Sequence, residues 1–158
     1  MVQMIWILKE IEVYLPYIQE LFEKNRGHKH EDNYIKWPLF EHTKFARMAF
    51  DDEMNMIYYS AGIERPEYNG SIRIMSRHTR DIQYNFGGYK ADLKRGLETL
   101  NLSTKYALKL GYKDIWLSRE ENPKLLEYFK KNSEYNWDIE YGDVPGAEEK
   151  QWILNLNY

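Results

Sequence analysis

Residues 96–129 read GLETLNLSTKYALKLGYKDIWLSREENPKLLEYF and carry the clearest structural signals in the sequence. Apolar side chains recur in it at helical spacing as far as Gly111, which stands where a helix would end. The run 114–118 follows at once and is typical of a short buried strand. Asn122-Pro123 then marks a second helix start, because Asn caps helices and Pro suits the first helical position. The stretch therefore predicts a helix, a strand and another helix in direct succession.

The sequence before this stretch predicts strands around one early helix. An apolar run at 3–8 is bounded by charge, and helical spacing follows it as far as Gly27. Runs rich in Phe, Tyr, Ile and Met at 44–50 and 55–63 are separated by acidic residues, which predicts a β-hairpin. A further strand is predicted at 71–79, where apolar and polar side chains alternate.

The remaining segments complete the order of elements. Residues 81–92 contain a Gly-Gly pair and are predicted to form a loop, so the following helix is expected to begin near Leu93. Runs at 137–141 and 151–156 predict two closing strands. The expected order, β-α-β-β-β-α-β-α-β-β, describes a single domain over residues 1–158, an α/β sandwich with a mixed sheet.

The composition excludes several classes of protein. The 158 residues carry a formal net charge of −3 with no basic block, so no nucleic-acid partner is expected. Cysteine is absent, which excludes disulfides and thiolate catalysis. The first apolar run is too short to span a bilayer, so no membrane association and a cytoplasmic location are expected. His28 and His30 have a spacing that suits a metal, but their polar surroundings favour a solvated loop, and no metal is expected.

The element order resembles that of the GNAT superfamily, the acyl-CoA-dependent N-acetyltransferases, over most of the chain. The resemblance implies a three-layer α/β sandwich with a partly splayed sheet, and acetyl-CoA as co-substrate. Family members carry a Gln/Arg-x-x-Gly-x-Gly/Ala loop whose backbone N–H groups bind the pyrophosphate at a helix N-terminus. Judged by the distance to Gly111, the last glycine of that loop would be Gly96. The implied cofactor-binding residues are then Lys94, Arg95, Gly96 and Leu97.

This loop departs from the family pattern at two positions. Ala91 stands at the Gln/Arg position and Lys94 at the first glycine. Asp92 could cap the helix and occupy its donors, whereas Lys94 and Arg95 could neutralise phosphate charge. A solvated basic first turn is the alternative interpretation.

A second match is Asn122-x-x-Leu125-x-x-Tyr128-Phe129, which resembles the family's Asn-x-x-Ala-x-x-Leu-Tyr segment. In the family the Asn meets the pantetheine arm of the cofactor, and the Tyr often protonates the leaving CoA thiolate. Phe129 occupies the Tyr position here, and a shift of one residue turns a helical side chain by about 100°. Tyr128 is the candidate catalytic acid, with ordinary packing as its alternative role, and Asn122 is a further cofactor-binding candidate.

Substrate-binding candidates lie on the strands that would flank the acetyl group. Arg73 and Arg77 share one face of the strand at 71–79 and suit a carboxylate or phosphate ligand. Pairing with acids on neighbouring strands is the alternative. Ser118 ends the next strand, at the edge where open α/β sheets bind ligands.

Three acids are candidate general bases: Glu64, Asp81 and Glu120. The sequence does not choose among them. The strand end Ser118-Arg119-Glu120 is also similar to strand ends in GNAT-like proteins of tailed phages.

The resemblance implies an N-acetyltransferase that moves an acetyl group from acetyl-CoA to a primary amine of a small molecule or a protein. A homodimer is an open possibility for its assembly. The alternative function is a GNAT-like binding or assembly module that has lost acetyl-CoA chemistry. The altered pyrophosphate loop and Phe129 favour that alternative.

Overall fold

The structure, a computed structural model, describes residues 3–7, 42–50, 56–78, 88–119 and 123–157. The chain divides into two compact units, Met1–Ile63 with Met75–Gly96 and Glu64–Ile74 with Leu97–Tyr158. The fourth strand and the first described α-helix each pass from one unit into the other along the chain.

The first unit contains the predicted hairpin. β1 (Gln3–Ile7) pairs antiparallel with β2 (Thr43–Phe50), and β2 pairs antiparallel with β3 (Met56–Ile63). Phe45 and Ala46 on β2 and Ala61 on β3 are fully buried, so this pair of strands supplies core. The predicted strands at 3–8, 44–50 and 55–63 are confirmed, whereas the early helix up to Gly27 lies outside the described residues.

The parallel part of the sheet is formed by β4 and β5. β4 (Ile72–His78) pairs in parallel with β5 (Ile115–Arg119), through Ile72 opposite Ile115 and Arg73 opposite Trp116. A long helix lies between these strands in sequence, as a parallel connection requires. The ladder ends at Arg73 and Trp116, which agrees with the predicted divergence of the two strands.

Two further strands complete the sheet. β6 (Trp137–Gly142) and β7 (Gln151–Leu156) confirm the two predicted closing strands. β7 lies between β5 and β6 and runs antiparallel to both. The strand order is β1-β2-β3-β4 up to the fourth strand and β4-β5-β7-β6 from it onward. The sheet is therefore mixed, as predicted.

A short 3₁₀-helix, Pro66–Tyr68, precedes β4, and the first described α-helix, α1, spans Gly88–Lys109. Its buried side chains recur every three or four residues, with Leu100, Thr104 and Ala107 fully or almost fully buried. It ends as predicted at Gly111, which has a φ of 99° and donates its N–H to the Leu108 carbonyl. The Tyr112 N–H bonds to the Ala107 carbonyl, which completes a Schellman-type helix end.

The beginning of α1 differs from the prediction. The helix already includes Gly88, so residues 88–92 are helical rather than loop, and Gly96 lies in the helix interior. Interior N–H groups bond to carbonyls four residues earlier and are unavailable to a ligand. The N–H groups of Lys94, Arg95 and Gly96 therefore cannot form the predicted pyrophosphate site.

The second helix, α2, spans Lys124–Asn132. Pro123 occupies its N-cap position, where its carbonyl accepts the Glu127 N–H at 2.8 Å, so the predicted Asn122 cap is wrong by one residue. Proline can fill this position because an N-cap residue needs no intrahelical N–H donor. Leu126 and Phe129 are buried and hold the helix on the core.

Candidate functional site

A polar chain follows one face of β4, β5 and β7. The register places Arg73 beside Trp116, and Ser118 lies two residues further along β5 on the same face. The Arg73 Nη2 donates to the Ser118 Oγ at 3.2 Å, and the Ser118 hydroxyl donates to the Gln151 Oε1 at 2.7 Å. We call Arg73, Ser118 and Gln151 the arginine cluster.

Trp116 is the platform beneath this cluster. The Arg73 guanidinium carbon lies 5.5 Å from the centre of its ring, within cation–π range. The indole N–H donates to the Ser71 Oγ at 2.9 Å, and the Tyr68 ring meets it edge-on at 5.0 Å. Trp116 is only 5% exposed, so these contacts fix its orientation and that of the guanidinium above it.

The charge of Arg73 has no carboxylate counterpart among the described residues. Its contacts are the Ser118 hydroxyl and the Trp116 ring, and its side chain is half-buried. For Arg73, and within the described segments, the alternative expectation of an ion pair with an acid on a neighbouring strand is therefore not met. Arg77 is on the same strand, but its side chain lies outside the described residues.

Glu64 takes part in a different arrangement, where β5 begins. The Tyr112 hydroxyl, three residues before β5, donates to the Glu64 Oε1 at 2.5 Å. Burial and then the nearby Glu64 carboxylate raise the pKa of Tyr112 well above its usual value. Because β5 is about 13 Å long, this pair and Ser118 lie at opposite ends of the strand. The structure does not bring Glu64 together with Ser118.

Tyr128 and Phe129 are neighbours on α2 but differ in burial. Phe129 is 6% exposed and belongs to the core, whereas Tyr128 is half-buried. Their ring centres lie 6.1 Å apart, and the Tyr128 carbonyl accepts the Asn132 side-chain N–H. Within the described part of the chain, no contact joins Tyr128 to the arginine cluster.

Several predicted site residues lie outside the described residues: Asp81, Glu120 and Asn122. On α1, Lys94 is exposed and Arg95 and Leu97 are half-buried, so only side chains can serve a cofactor there. In the described segments no three His, Asp or Glu residues converge as a metal site would require, and no helix is long and apolar enough to cross a membrane. The two histidines considered for a metal, at 28 and 30, are not described.

Sequence reasoning missed Trp116 and Gln151 as parts of the site. An apolar residue inside a short strand is normally assigned to the core, and Gln151 opens a strand 33 residues after Ser118. Only the register of β5 between β4 and β7 brings them together. The sequence does contain a signal for the start of α1, which the prediction placed too late. The glycine pair Gly87-Gly88 lies at the edge of the helix.

No family model and no curated protein matches the sequence. Solved structures do match the fold. An N-acetyltransferase from Staphylococcus aureus Mu50 is similar with a TM-score of 0.62 at 12% identity, over 99% of this chain and 96% of that chain. The spermidine N-acetyltransferase from Vibrio cholerae, in complex with CoA and spermine, gives 0.59 at 15% identity, over 98% and 94%.

A third similar structure extends the range of these proteins. The ribosomal-protein-S18-alanine N-acetyltransferase from Escherichia coli gives a TM-score of 0.57 at 12% identity, over 99% of this chain and 92% of that chain. The three proteins share a GNAT fold while their names give different acceptors or none. At these identities the similarity concerns the fold alone.

Proposed function

We propose, on the premise that the chain has the GNAT fold, that it transfers an acetyl group from acetyl-CoA to a primary amine. The observation that supports this most is the extent of the match, which covers 98% of the chain or more in each of the three structures. The parallel pair β4 and β5, whose ladder ends after two residues, is a second support.

The reaction needs a base, an acid and an anion site. The amine nitrogen attacks the thioester carbonyl carbon, so a C–N bond forms and the C–S bond breaks. A base accepts the ammonium proton, and an acid donates a proton to the leaving thiolate. Glu64 already accepts the Tyr112 hydroxyl, so we favour Glu120, which directly follows β5 in sequence, as the base. Tyr128 is the candidate acid.

The pyrophosphate is assigned to the beginning of α1 near Gly88. A helix start offers unpaired N–H donors and the positive end of its dipole. With the helix starting there, Gln83-x-x-Phe86-x-Gly88 matches the family loop at its Gln and its last Gly. Phe86 stands where the family has its first glycine.

Cofactor binding tests this placement directly. Gly88→Asp should weaken acetyl-CoA binding at least about 10-fold in titration calorimetry, because a carboxylate then repels the phosphates. Asp is favoured in the first turn of a helix, so folding should persist. Lys105→Gln, on the same helix and with the same change in net charge, should bind as the unmutated protein does. Equal affinity in the Gly88→Asp protein would contradict the placement.

Turnover tests the acid. Tyr128→Phe keeps the ring, so thermal stability and acetyl-CoA affinity should stay nearly unchanged, while kcat falls about 10²–10⁴-fold on any amine that the unmutated protein acetylates. The panel should include spermidine and a peptide with an N-terminal alanine, after the acceptors named for the similar proteins. Tyr141→Phe, at an exposed tyrosine, is the control. Full activity in Tyr128→Phe would leave it a packing role only.

A non-catalytic module remains the second candidate because Phe129 is buried at the family's Tyr position. An unmutated protein that neither binds CoA nor turns over acetyl-CoA would favour that function. A phage origin and a cytoplasmic location stay predictions.

A further inference from the structure

Arg73 is a cation held in place with no anionic side chain against it in the described part of the chain. It is half-buried, its guanidinium carbon lies 5.5 Å from the centre of the Trp116 ring, and Ser118 accepts one of its five N–H donors. Removing a charge from water without a partner is unfavourable, so proteins usually pair a buried guanidinium with a carboxylate. Arg65, in the same unit, has such a partner in Glu67 at 2.9 Å. Because no described carboxylate meets Arg73, its oriented guanidinium is suited to an anionic ligand.

The surroundings of Arg73 suit a carboxylate. The Ser118 hydroxyl donates its proton to Gln151, so its oxygen is oriented to accept a hydrogen bond from the guanidinium. The Arg73 Nη2 donates to that oxygen at 3.2 Å. The guanidinium carbon lies over the Trp116 ring and Ser118 takes one N–H donor, so further N–H donors of Arg73 remain for a ligand. A planar guanidinium edge presents parallel donors that match the two oxygens of a carboxylate.

We propose that the arginine cluster binds a carboxylate of the acceptor, so the preferred substrates are amines that also carry a carboxylate, such as amino acids. This rests on the proposed acetyl transfer. The carboxylate does not react: it anchors the substrate on Arg73 while the amine nitrogen attacks the thioester. Ser118 and Gln151 are positioning residues, because they act on Arg73.

Matched pairs of probes isolate the carboxylate. L-phenylalanine and L-methionine are each compared with their carboxamides as acceptors, and N-acetyl-L-phenylalanine is compared with its amide in direct binding. The acetylated pair removes any difference in amine basicity. The unmutated protein should prefer each carboxylate over its amide by about 10-fold or more, both in kcat/KM and in affinity for the acetylated pair.

Variants of Arg73 test whether this residue binds the carboxylate of the acceptor. Arg73→Gln should lower kcat/KM for the acids about 10- to 100-fold and leave the amides and acetyl-CoA affinity unchanged. Arg73→Lys should lie between, since it keeps the charge but loses the planar fork. Ser118→Ala should weaken the acid preference less than Arg73→Gln. Arg65→Gln, at an arginine already paired with Glu67, should leave the preference intact.

The outcomes separate this inference from the acetyl transfer itself. Binding of N-acetyl-L-phenylalanine that Arg73→Gln abolishes, in a protein that acetylates nothing, would keep the anion site and reject the proposed function. Acetylation of amines with no preference for either acid would reject the anion site and keep the function. Weaker acetyl-CoA binding in Arg73→Gln would assign the arginine to cofactor phosphates and overturn the proposal. Circular dichroism and thermal melting confirm that each variant is folded.

Discussion

The two ends of β5 carry polar clusters of opposite character. Where the strand begins, the Tyr112 hydroxyl donates to the Glu64 carboxylate, so the charge has a partner supplied by the fold. Near its end, Ser118, together with the indole of Trp116 from earlier in the strand, orients the Arg73 guanidinium, but no carboxylate meets it among the described residues. The two clusters therefore suit different roles: a charge with a partner in the fold stabilises the structure, and an oriented charge with no described partner is suited to a ligand.

The two clusters also differ in what holds them. The Tyr112 pair depends on one hydrogen bond next to the loop between α1 and β5. The arginine cluster depends on Trp116, which contacts Tyr68, Ser71 and Arg73 at once. Substitutions at the two ends should therefore differ in size, and their order tests the comparison.

The largest effect is expected at Trp116. Trp116→Ala removes a buried indole, and the free energy of unfolding should fall by about 3–5 kcal/mol in urea denaturation. Trp116→Phe keeps a ring but loses the N–H donor to Ser71, and should cost less. The control is Trp152→Ala, because Trp152 is half-buried and packs at 5.0 Å against the exposed Tyr141. If Trp152→Ala lowered the free energy of unfolding more than Trp116→Ala, Trp116 would not be the main support of the arginine cluster.

The sequence predicts the elements of this fold better than their ends. Gly111 marks the end of α1 because a left-handed residue there needs glycine, which is a local requirement. The start of α1 escaped prediction because GYKADL has little apolar periodicity and opens with glycine, a poor helix former. The Gly87-Gly88 pair lies at this helix start, but such a pair is as typical of a loop as of a helix boundary.

The candidate site was predictable only in part. Arg73 and Ser118 stand out because a charge and a hydroxyl mark a strand face and a strand end, and the structure joins them at 3.2 Å. Gln151 joins them through the pairing of β5 with β7, which depends on register between distant segments. The partner of Glu64 was likewise hidden, because Tyr112 is 48 residues away in sequence.

The smallest effect is expected at the satisfied end of β5. Tyr112→Phe removes one hydrogen bond and should cost about 1–2 kcal/mol near pH 7. The pH dependence identifies the cause. The pKa of Tyr112 is raised in the folded protein, so above pH about 10 the unfolded chain loses this proton while the folded protein keeps it. The stability that Tyr112 contributes is therefore complete below that pH and declines above it.

Urea denaturation at pH 8 and at pH 10.5 measures this decline. Tyr112→Phe should lose less stability over the interval than the unmutated protein, and the remaining tyrosines, common to both, cancel in the difference. Glu64→Gln should give an intermediate slope, because burial is the first cause of the raised pKa and Glu64 only the second. Arg73→Gln should leave the slope unchanged. If Tyr112→Phe and the unmutated protein decline equally, Tyr112 is not held in its neutral form by Glu64 and burial, and the contrast between the two ends of β5 fails.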